Sequence, residues 1–293
     1  MHASVRAFAE GLIDYAGLFP PAALPLEEAF RLYAGYRRHA DAWMLGRFIC
    51  PAARLSELAG LAFDGPQPSA DGASGPGPLR IAALGRGGTD AGTWLADLGR
   101  DLEAIARFHA LARGQARVEA LELRGAGAVA PDLLAAAAGL LAAAPAGLEV
   151  FYEIPPSGDW RSAWTTSLAA LGASRRPGTA PGFKLRCGGI TAEAFPTVEQ
   201  VAFALDGCRG ADVPFKATAG LHHPVRAHRA EVGTKMHGFL NVFGAALLSR
   251  EHALDAEAIR PILEEEDPGA FSFGPDGFAW RGRRIGIDRI RSR

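Results

Sequence analysis

The chain has 293 residues, a hydrophobic fraction of 48% and a formal net charge of −1. This length and hydrophobic fraction suit a protein with a substantial core, such as an α/β barrel, which typically needs about 250 residues. The balanced charge excludes a global basic field that would recruit nucleic acid, and no apolar run without charge is long enough to span a bilayer. We therefore predict a soluble protein with no nucleic-acid partner and no membrane partner.

The three cysteines, Cys50, Cys187 and Cys208, form no CxxC pair and no zinc-like spacing. An odd number of cysteines without such spacing indicates a reduced, cytoplasmic protein. The first residues lack the uninterrupted apolar stretch of a signal peptide, so we do not expect export.

Eight short β-like runs alternate with longer segments whose apolar residues recur at helical spacing. The runs cover residues 12–15, 43–49, 79–84, 117–123, 148–154, 182–187, 213–218 and 238–243. The helical segments include residues 26–38, 94–113, 131–144 and 197–208. Repeated β-α units indicate a parallel sheet, and eight of them, without a G-x-G-x-x-G motif after an early strand, predict a (β/α)8 TIM barrel.

Two loops interrupt these units, and a C-terminal extension follows them. Residues 64–78 and 173–182 are rich in Gly, Pro and Ser and are typical of exposed loops, the first of them mobile. After the eighth run we predict a helix from about residue 245, an acidic helix near residues 255–266 and a β-hairpin around the turn Gly274-Pro-Asp-Gly277. We assign residues 1–254 to the barrel and residues 255–293 to an appendage packed on the same domain.

Lysine is rare, because the chain contains only Lys184, Lys216 and Lys235 beside 28 arginines. Arginine stays charged at any ordinary pH, whereas a lysine amine becomes nucleophilic where burial or a neighbouring cation favours its neutral form. Lys184 and Lys216 lie in strand-like runs 32 residues apart, the length of one strand-helix-strand step. Either these two lysines are functional or they are buried ion-pair partners. Lys235 is expected at the surface.

Strand alternation indicates which side chains face the interior of the predicted barrel. Phe183 and Leu185 form the apolar face that helices cover, so Lys184 and Arg186 must point inward. The same reasoning directs further polar side chains to the interior: Asp14, Arg47, Glu122, Glu153, Lys216 and Thr218. Glu119 falls on the face opposite Glu122, and Glu122 is the nearer of the two to the C-terminal mouth, where barrel enzymes assemble their sites.

Charges in an interior must form a network, because an unpaired buried ion is costly. Branched apolar residues would fill a purely structural core, so we interpret the two lysines with Glu122 and Glu153 as a functional set. Two amines facing one cavity repel each other as ammonium ions, which favours a neutral, nucleophilic form of one of them.

Histidines and glycines follow the last predicted strands. His222 and His223 come directly after the seventh run, where they would contact substrate as acid or base groups or as metal ligands. Adjacent histidines point in divergent directions and no further ligand accompanies them at a firm spacing, so we predict no metal site, while Asp14 and His237 stay open as ligands. Turn glycines leave backbone N–H groups free to bind an anion, and we predict this role for Gly188, Gly189, Gly220 and Gly244.

The order of these motifs resembles class I aldolases, and most closely the deoxyribose-phosphate aldolase family, through most of the barrel. The similar segments are Leu12-Ile-Asp14-Tyr15, Gly46-Arg-Phe-Ile-Cys50-Pro51, Arg80-Ile-Ala-Ala83, Arg117-Val-Glu-Ala-Leu-Glu122, Leu148-Glu-Val-Phe-Tyr-Glu153, Phe183-Lys184 with Gly188-Gly189, Phe215-Lys216-Ala-Thr-Ala-Gly220 and Phe243-Gly244-Ala-Ala-Leu-Leu248. The resemblance implies that Lys184 is the Schiff-base lysine and that Lys216 keeps it partly neutral. The two lysine segments are also similar to motifs of a related bacterial family, and this second resemblance implies no particular activity.

The chain departs from the aldolase pattern at several positions. The family relays protons through an aspartate in its fourth strand, where this chain has Glu119 and Glu122; the motif favours Glu119 and strand alternation favours Glu122. Ala245 and Ala246 replace the serine of the family's last phosphate turn, which puts a phosphorylated substrate in doubt. Arg186 and the two adjacent histidines are additions to the pattern.

From residues and resemblance together we expect a cofactor-free lyase that forms a Schiff base with a small, anionic carbonyl substrate. Glu122, Glu119 or Glu153 would shuttle protons, while Arg186 and the glycine turns would hold the anionic end. Two alternatives stay open: an isomerase or decarboxylase that uses the same lysines electrostatically, and a non-catalytic ligand-binding barrel. The sequence leaves open whether the chain forms a homo-oligomer.

Overall fold

Strands and helices alternate along the chain in a computed structural model that describes residues 1–63, 77–88, 90–125, 127–176 and 180–292. The strands are β1 Ile13–Tyr15, β2 Leu45–Pro51, β3 Leu79–Leu84, β4 Ala116–Arg124, β5 Glu149–Glu153, β6 Gly182–Arg186, β7 Phe215–Thr218, β8 Ala227–Arg229, β9 Thr234–Met236, β10 Phe271–Phe273, β11 Gly277–Trp280 and β12 Arg283–Gly286. The helices are α1 Ala3–Ala9, α2 Leu26–Tyr36, α3 Leu55–Phe63, α4 Ala91–Ala112, α5 Pro131–Leu141, α6 Trp160–Ala173, α7 Val198–Gly210, α8 Phe239–His252, α9 Ala256–Glu264 and α10 Ile287–Arg291.

Strands β1 to β7 follow one another in a seven-stranded sheet in the order of the sequence. The registered pairs β1–β2, β2–β3, β3–β4 and β6–β7 are parallel. The predicted α/β class with a parallel sheet is therefore confirmed. No helix in the described ranges is both long and apolar enough to cross a membrane.

The prediction of an eighth strand at residues 238–243 was wrong. Gly238 is the N-cap of α8, and the buried residues Val242, Ala245 and Leu248 recur along α8 at a spacing of three. This spacing is that of a helix face, and the Ala- and Leu-rich continuation favours a helix over a strand. Since the described residues place seven strands in the parallel sheet, a complete eight-stranded barrel is not confirmed.

The chain divides into two compact units. Unit 1 comprises Met1–Glu10, Glu153–Ala173 and Gly182–Arg293, and unit 2 comprises Gly11–Tyr152 and Ser174–Pro181. Most of the loop predicted at residues 64–78, and the centre of the loop predicted at residues 173–182, lie outside the described residues.

In unit 2, one face of the sheet carries an apolar cluster of Ile49, Ala82, Ala120 and Phe151. Strand β4 contains a bulge in its pairing with β3: Ile81 pairs with Val118, but Ala82 pairs with Ala120, so that Glu119 is an extra residue. A bulge shifts the alternation of side chains by one position.

The bulge corrects the predicted faces of β4. Glu122 pairs with Leu84, and Leu84 packs on the apolar cluster. Glu119 accepts a hydrogen bond from Arg80, which lies two residues before Ala82 and therefore on the same face of β3. Glu119 and Glu122 therefore share one face of the strand. The expectation that they lie on opposite faces was wrong, because it assumed an uninterrupted period of two.

In unit 1, helix α6 packs on β6 through the buried Trp164, whose ring lies 5.4 Å from that of Phe183. The indole N–H of Trp164 donates to the backbone oxygen of Ile154 at 3.0 Å. A buried tryptophan needs such an acceptor for its N–H. This bond ties the segment that follows Glu153 to the helix that covers β6.

The C-terminal part of unit 1 contains the predicted acidic helix, α9, and the predicted hairpin, in which β10 pairs with β11 in antiparallel orientation. A third strand, β12, extends the hairpin to a three-stranded sheet. The ring of Phe8 in α1 lies 5.4 Å from Phe273 and 5.1 Å from Phe278, so the first helix packs on this small sheet.

Candidate functional site

Lys184 and Glu153 form a buried ion pair in unit 1. Nζ of Lys184 lies 2.7 Å from Oε2 of Glu153, and the two residues are only 6% and 8% exposed. Glu153 is the last residue of β5, and Lys184 is the central residue of β6. Desolvation of either charge alone would cost several kcal/mol, so burial of the two requires their pairing.

Lys216 lies beside Lys184 in the sheet. The register of the parallel strands β6 and β7 pairs Lys184 with Lys216 directly, and Lys216 is half-buried. Paired residues of neighbouring strands point to the same face, and the strands lie about 4.8 Å apart. The predicted strand-helix-strand step is thus confirmed, and it brings the two amines to one face of the sheet.

Arg186 and Thr218 form the next pair toward the C-terminal ends of the same strands. They point to the same face as the two lysines, because residues two positions apart share a face. Arg186 is exposed, and its Nε–H donates to the backbone oxygen of Gly188 at 2.9 Å. This bond holds the guanidinium close to the turn that follows β6.

The turns after β6 and β7 contact each other through their glycines. A Cβ atom on Gly220 would lie 2.4 Å from the backbone oxygen of Cys187, and one on Gly188 would lie 2.7 Å from Cα of Gly220. Gly220 also has a φ of +69°, which favours glycine. The N–H of Cys187 donates to the oxygen of Thr218 at 2.7 Å. Only glycines permit this close approach of the two backbones.

The remaining predicted glycines occupy different surroundings. Gly189 follows in the β6 turn, where a Cβ atom would lie 2.7 Å from Cβ of Ala194. Gly244 lies inside α8, where an added Cβ would lie 2.8 Å from the ring of Phe278. The anion-binding turn predicted at Gly244 was therefore wrong, because the strand that should precede it is part of a helix.

The two adjacent histidines lie in the segment that connects β7 to β8. His222 is exposed and His223 is half-buried. Partial burial of the ring lowers the pKa of His222, and the neighbouring His223 lowers it further. The lowered pKa favours the neutral form of the His222 imidazole.

A buried histidine that sequence reasoning did not assign, His237, holds this connection in place. His237 is 1% exposed, and its Nε2–H donates to the oxygen of Pro196 at 2.8 Å. Its Nδ1 then accepts from the guanidinium of Arg226 at 3.3 Å. Burial lowers the pKa of His237 to about 4. No local sequence pattern indicated this role for His237.

The same connection covers the N-terminus of α8. The N–H of Phe239 donates to the oxygen of His223, and that of Leu240 to the oxygen of Pro224, each at 2.9 Å. The side-chain oxygen of Asn241 accepts from the backbone N–H of Arg226 at 2.9 Å. Two of the N–H groups that a helix usually leaves unsatisfied are therefore bonded within the chain.

In unit 2, Glu119 connects two arginines near the N-terminal ends of the strands. Its Oε2 accepts from Nε of Arg47 and from Nε of Arg80, each at 3.0 Å. Arg47 also contacts Glu149 at 2.7 Å, and its backbone N–H donates to Asp14 at 2.7 Å. Hydrogen bonds from the two arginines lower the pKa of Glu119 against the opposing effect of burial. Asp14, Arg47 and Glu119 thus belong to one ionic network.

Glu122 lies three residues further along β4 than Glu119, toward the C-terminal end of the strand, and is 3% exposed. The C-terminal ends of parallel strands are where α/β enzymes place their reactive groups. The position of Glu122 agrees with this rule, whereas Glu119 lies with the ionic network at the other end.

Within the described ranges, no three His, Cys, Asp or Glu side chains come together as a metal-binding group. No protein-family model matches the sequence, and no curated protein matches it.

Proposed function

We propose that the protein is a lyase that forms a Schiff base between Lys184 and a small, anionic carbonyl substrate. The observation that carries the proposal is the buried contact of 2.7 Å between Lys184 and Glu153, with Lys216 in the adjacent register position. A buried amine with a hydrogen-bonded carboxylate has both parts that covalent catalysis on a carbonyl requires: a nucleophile and a group that moves its proton.

The reaction would begin when Glu153 accepts a proton from Lys184 and the neutral amine attacks the carbonyl carbon. The same carboxyl group would return the proton to the carbinolamine oxygen, which leaves as water and yields a protonated imine. The Glu153 carboxylate then takes the proton of a hydroxyl group on the β-carbon, and the bond between the α- and β-carbons breaks. The β-fragment leaves as the first carbonyl product, and the electron pair of the broken bond enters the imine to give an enamine. Protonation of the enamine and hydrolysis release the second product and restore the amine.

Lys216 would assist Lys184 through its charge. A second ammonium next to Lys184 disfavours a proton on Lys184, which favours the nucleophilic form.

Mass spectrometry after borohydride reduction tests this function. The protein is incubated with a panel of small aldehydes and ketones, reduced, and mapped by peptide. The chain has three lysines, so Lys235, which is exposed and paired with Glu266, reports non-specific reductive alkylation. We expect one stoichiometric adduct on Lys184. An adduct on Lys216 alone would exchange the two roles, and labelling of all three lysines alike would contradict the proposal.

The ion pair also favours one second candidate, an isomerase or decarboxylase without a covalent intermediate. An ammonium held by a carboxylate can stabilise negative charge that develops on a bound carbonyl compound without attacking it. Turnover of a carbonyl substrate that leaves no adduct on Lys184 after borohydride treatment would select this candidate.

A further inference from the structure

The exposed end of the lysine face carries two further polar groups, Arg186 and Thr218, at paired positions of β6 and β7. Two residues along a strand correspond to about 6.6 Å, so Arg186 is one step beyond Lys184 on the same face. An anionic group bound by Arg186 would therefore be a few bonds from a carbonyl carbon at Lys184.

The guanidinium of Arg186 has donors available for a ligand. Among the described residues, the oxygen of Gly188 accepts from its Nε–H at 2.9 Å and no other hydrogen bond engages the guanidinium, and this bond fixes the orientation of the guanidinium plane. Across the part of the chain that the structure describes, no carboxylate lies within ion-pair distance of Arg186. An oriented guanidinium with free terminal N–H groups matches a carboxylate in a two-point contact.

The usual place for a phosphate is occupied by the chain itself. In α/β proteins, a phosphate often binds the free N–H groups at the start of a helix that follows a strand. At the start of α8, the N–H groups of Phe239 and Leu240 are bonded to the oxygens of His223 and Pro224. A phosphate would have to displace both hydrogen bonds before it could bind there.

From these contacts we infer that Arg186, with the hydroxyl of Thr218, binds the carboxylate of the substrate, so that the site takes a small carbonyl acid rather than a phosphorylated sugar. The inference rests on the proposed function for the position of the reacting carbonyl at Lys184. Carboxylate recognition by Arg186 does not require Schiff-base formation, so a binding measurement tests it independently.

Two measurements test the inference in the wild type, in Arg186→Gln and in Arg186→Lys. The first is borohydride trapping with glyoxylate, pyruvate and succinic semialdehyde, each compared with an uncharged carbonyl analogue of the same size and with glyceraldehyde 3-phosphate. The second is the thermal shift caused by lactate, 1,2-propanediol and glycerol 3-phosphate, none of which has a carbonyl group that could form a Schiff base.

We expect at least one carbonyl acid to reach half-maximal labelling of Lys184 at a concentration about tenfold or more below that of its uncharged analogue, since a charge-assisted hydrogen bond has about that effect. Arg186→Gln should abolish this advantage, and Arg186→Lys should keep only part of it. Lactate should stabilise the wild type but not Arg186→Gln. The matched control is Arg260→Gln, which removes an exposed arginine from α9 and should behave as the wild type.

The outcomes separate the two proposals. Equal labelling by charged and uncharged compounds in the wild type would overturn carboxylate recognition while leaving Schiff-base chemistry intact. Stabilisation by lactate that depends on Arg186, without any adduct on Lys184, would support carboxylate recognition and refute the lyase. A preference for the phosphorylated compounds, or stabilisation by lactate that is the same in Arg186→Gln, would overturn the inference.

Discussion

Lys184 and Lys216 occupy directly paired positions of the parallel strands β6 and β7, so that their side chains leave the sheet on the same face. If Lys216 assists Lys184 through its charge, Lys216→Met should reduce the rate of adduct formation on Lys184 by about tenfold or more, whereas Lys216→Arg should keep most of it. Trapping at neutral pH with a compound that labels the wild type measures this. Equal rates in Lys216→Met and the wild type would show that the charge of Lys216 has no part in the reaction.

The pair of Lys184 and Glu153 should behave as one unit in stability measurements. Lys184→Met leaves the buried Glu153 without the amine at 2.7 Å and should lower the free energy of unfolding by about 3 kcal/mol. The double variant Lys184→Met/Glu153→Gln should recover part of this loss, since no carboxylate remains to be compensated. Urea denaturation of Lys184→Met, Glu153→Gln and the double variant gives the double-mutant cycle. Additive losses would show that the two side chains are not coupled.

The contact between the two glycine turns predicts an unequal effect of two similar substitutions. Gly220→Ala and Gly233→Ala both place alanine at a positive φ, +69° and +66° respectively. They differ in their surroundings: an added Cβ at Gly220 would lie 2.4 Å from the oxygen of Cys187, whereas one at Gly233 would have no atom within 4 Å. We expect a loss of about 1 kcal/mol for Gly233→Ala from backbone strain and about 3 kcal/mol for Gly220→Ala. Losses of the same size in thermal denaturation would refute the proposed clash.

The carboxylate of Glu119 should stabilise unit 2, because it joins Arg47 and Arg80. Glu119→Gln should lower the free energy of unfolding by about 1–2 kcal/mol, less than for a fully buried pair because Arg80 is half exposed. Glu57→Gln, which breaks only an exposed contact with Arg54, is the control and should leave the melting temperature unchanged. A lowered pKa in the folded state means that the contribution of Glu119 is present above its ordinary pKa and is lost as the pH falls.

The buried His237 predicts a loss of stability in mild acid. Its pKa is lowered from 6.5 to about 4 in the folded state, so its contribution is full above about pH 6.5 and disappears as the pH falls toward 4, where the unfolded chain takes up the proton first. A shift of this size corresponds to about 3 kcal/mol. Between pH 7 and pH 4.5, the stability of His237→Gln should fall by less than that of the wild type.

The groups that face His237 act in opposite directions. The guanidinium of Arg226 lies at Nδ1, the nitrogen that would take a second proton, and disfavours the imidazolium, whereas the oxygen of Pro196 accepts from Nε2–H and favours it, so burial is the main cause of the lowered pKa. The control His228→Gln changes an exposed histidine of β8 and should retain the pH dependence of the wild type. Parallel curves for His237→Gln and the wild type would exclude His237 as the cause.

Local patterns in the sequence were sufficient to predict the α/β class and the shared face of the two lysines. Two strands that are joined by a single helix usually lie side by side in a parallel sheet, so the pairing of β6 with β7 follows from their order in the sequence. The same patterns failed where one residue changes the outcome. Alternation of side chains with a period of two does not reveal the bulge at Glu119. The apolar run at residues 238–243 is compatible with a strand or a helix, and only its continuation to His252 favours the helix.

Contacts between distant segments could not be predicted from the sequence. The sequence indicated that buried charges must pair, but not that Lys184 would bond to Glu153 rather than to another carboxylate. The role of His237 depends on the oxygen of Pro196, 41 residues away, and no local pattern connects the two. Such partners are determined by tertiary packing, which propensity and periodicity do not report.

The packing of α1 on the C-terminal sheet has a consequence for synthesis of the protein. Phe8 contacts Phe273 and Phe278, and the hydroxyl of Ser4 donates to the oxygen of Gly274, 270 residues later. Because translation proceeds from the N-terminus, α1 is made long before the strands that cover it. The apolar side of α1 therefore stays uncovered while the residues up to β10 and β11 are synthesised, and during that time it is open to chaperones and to other nascent chains.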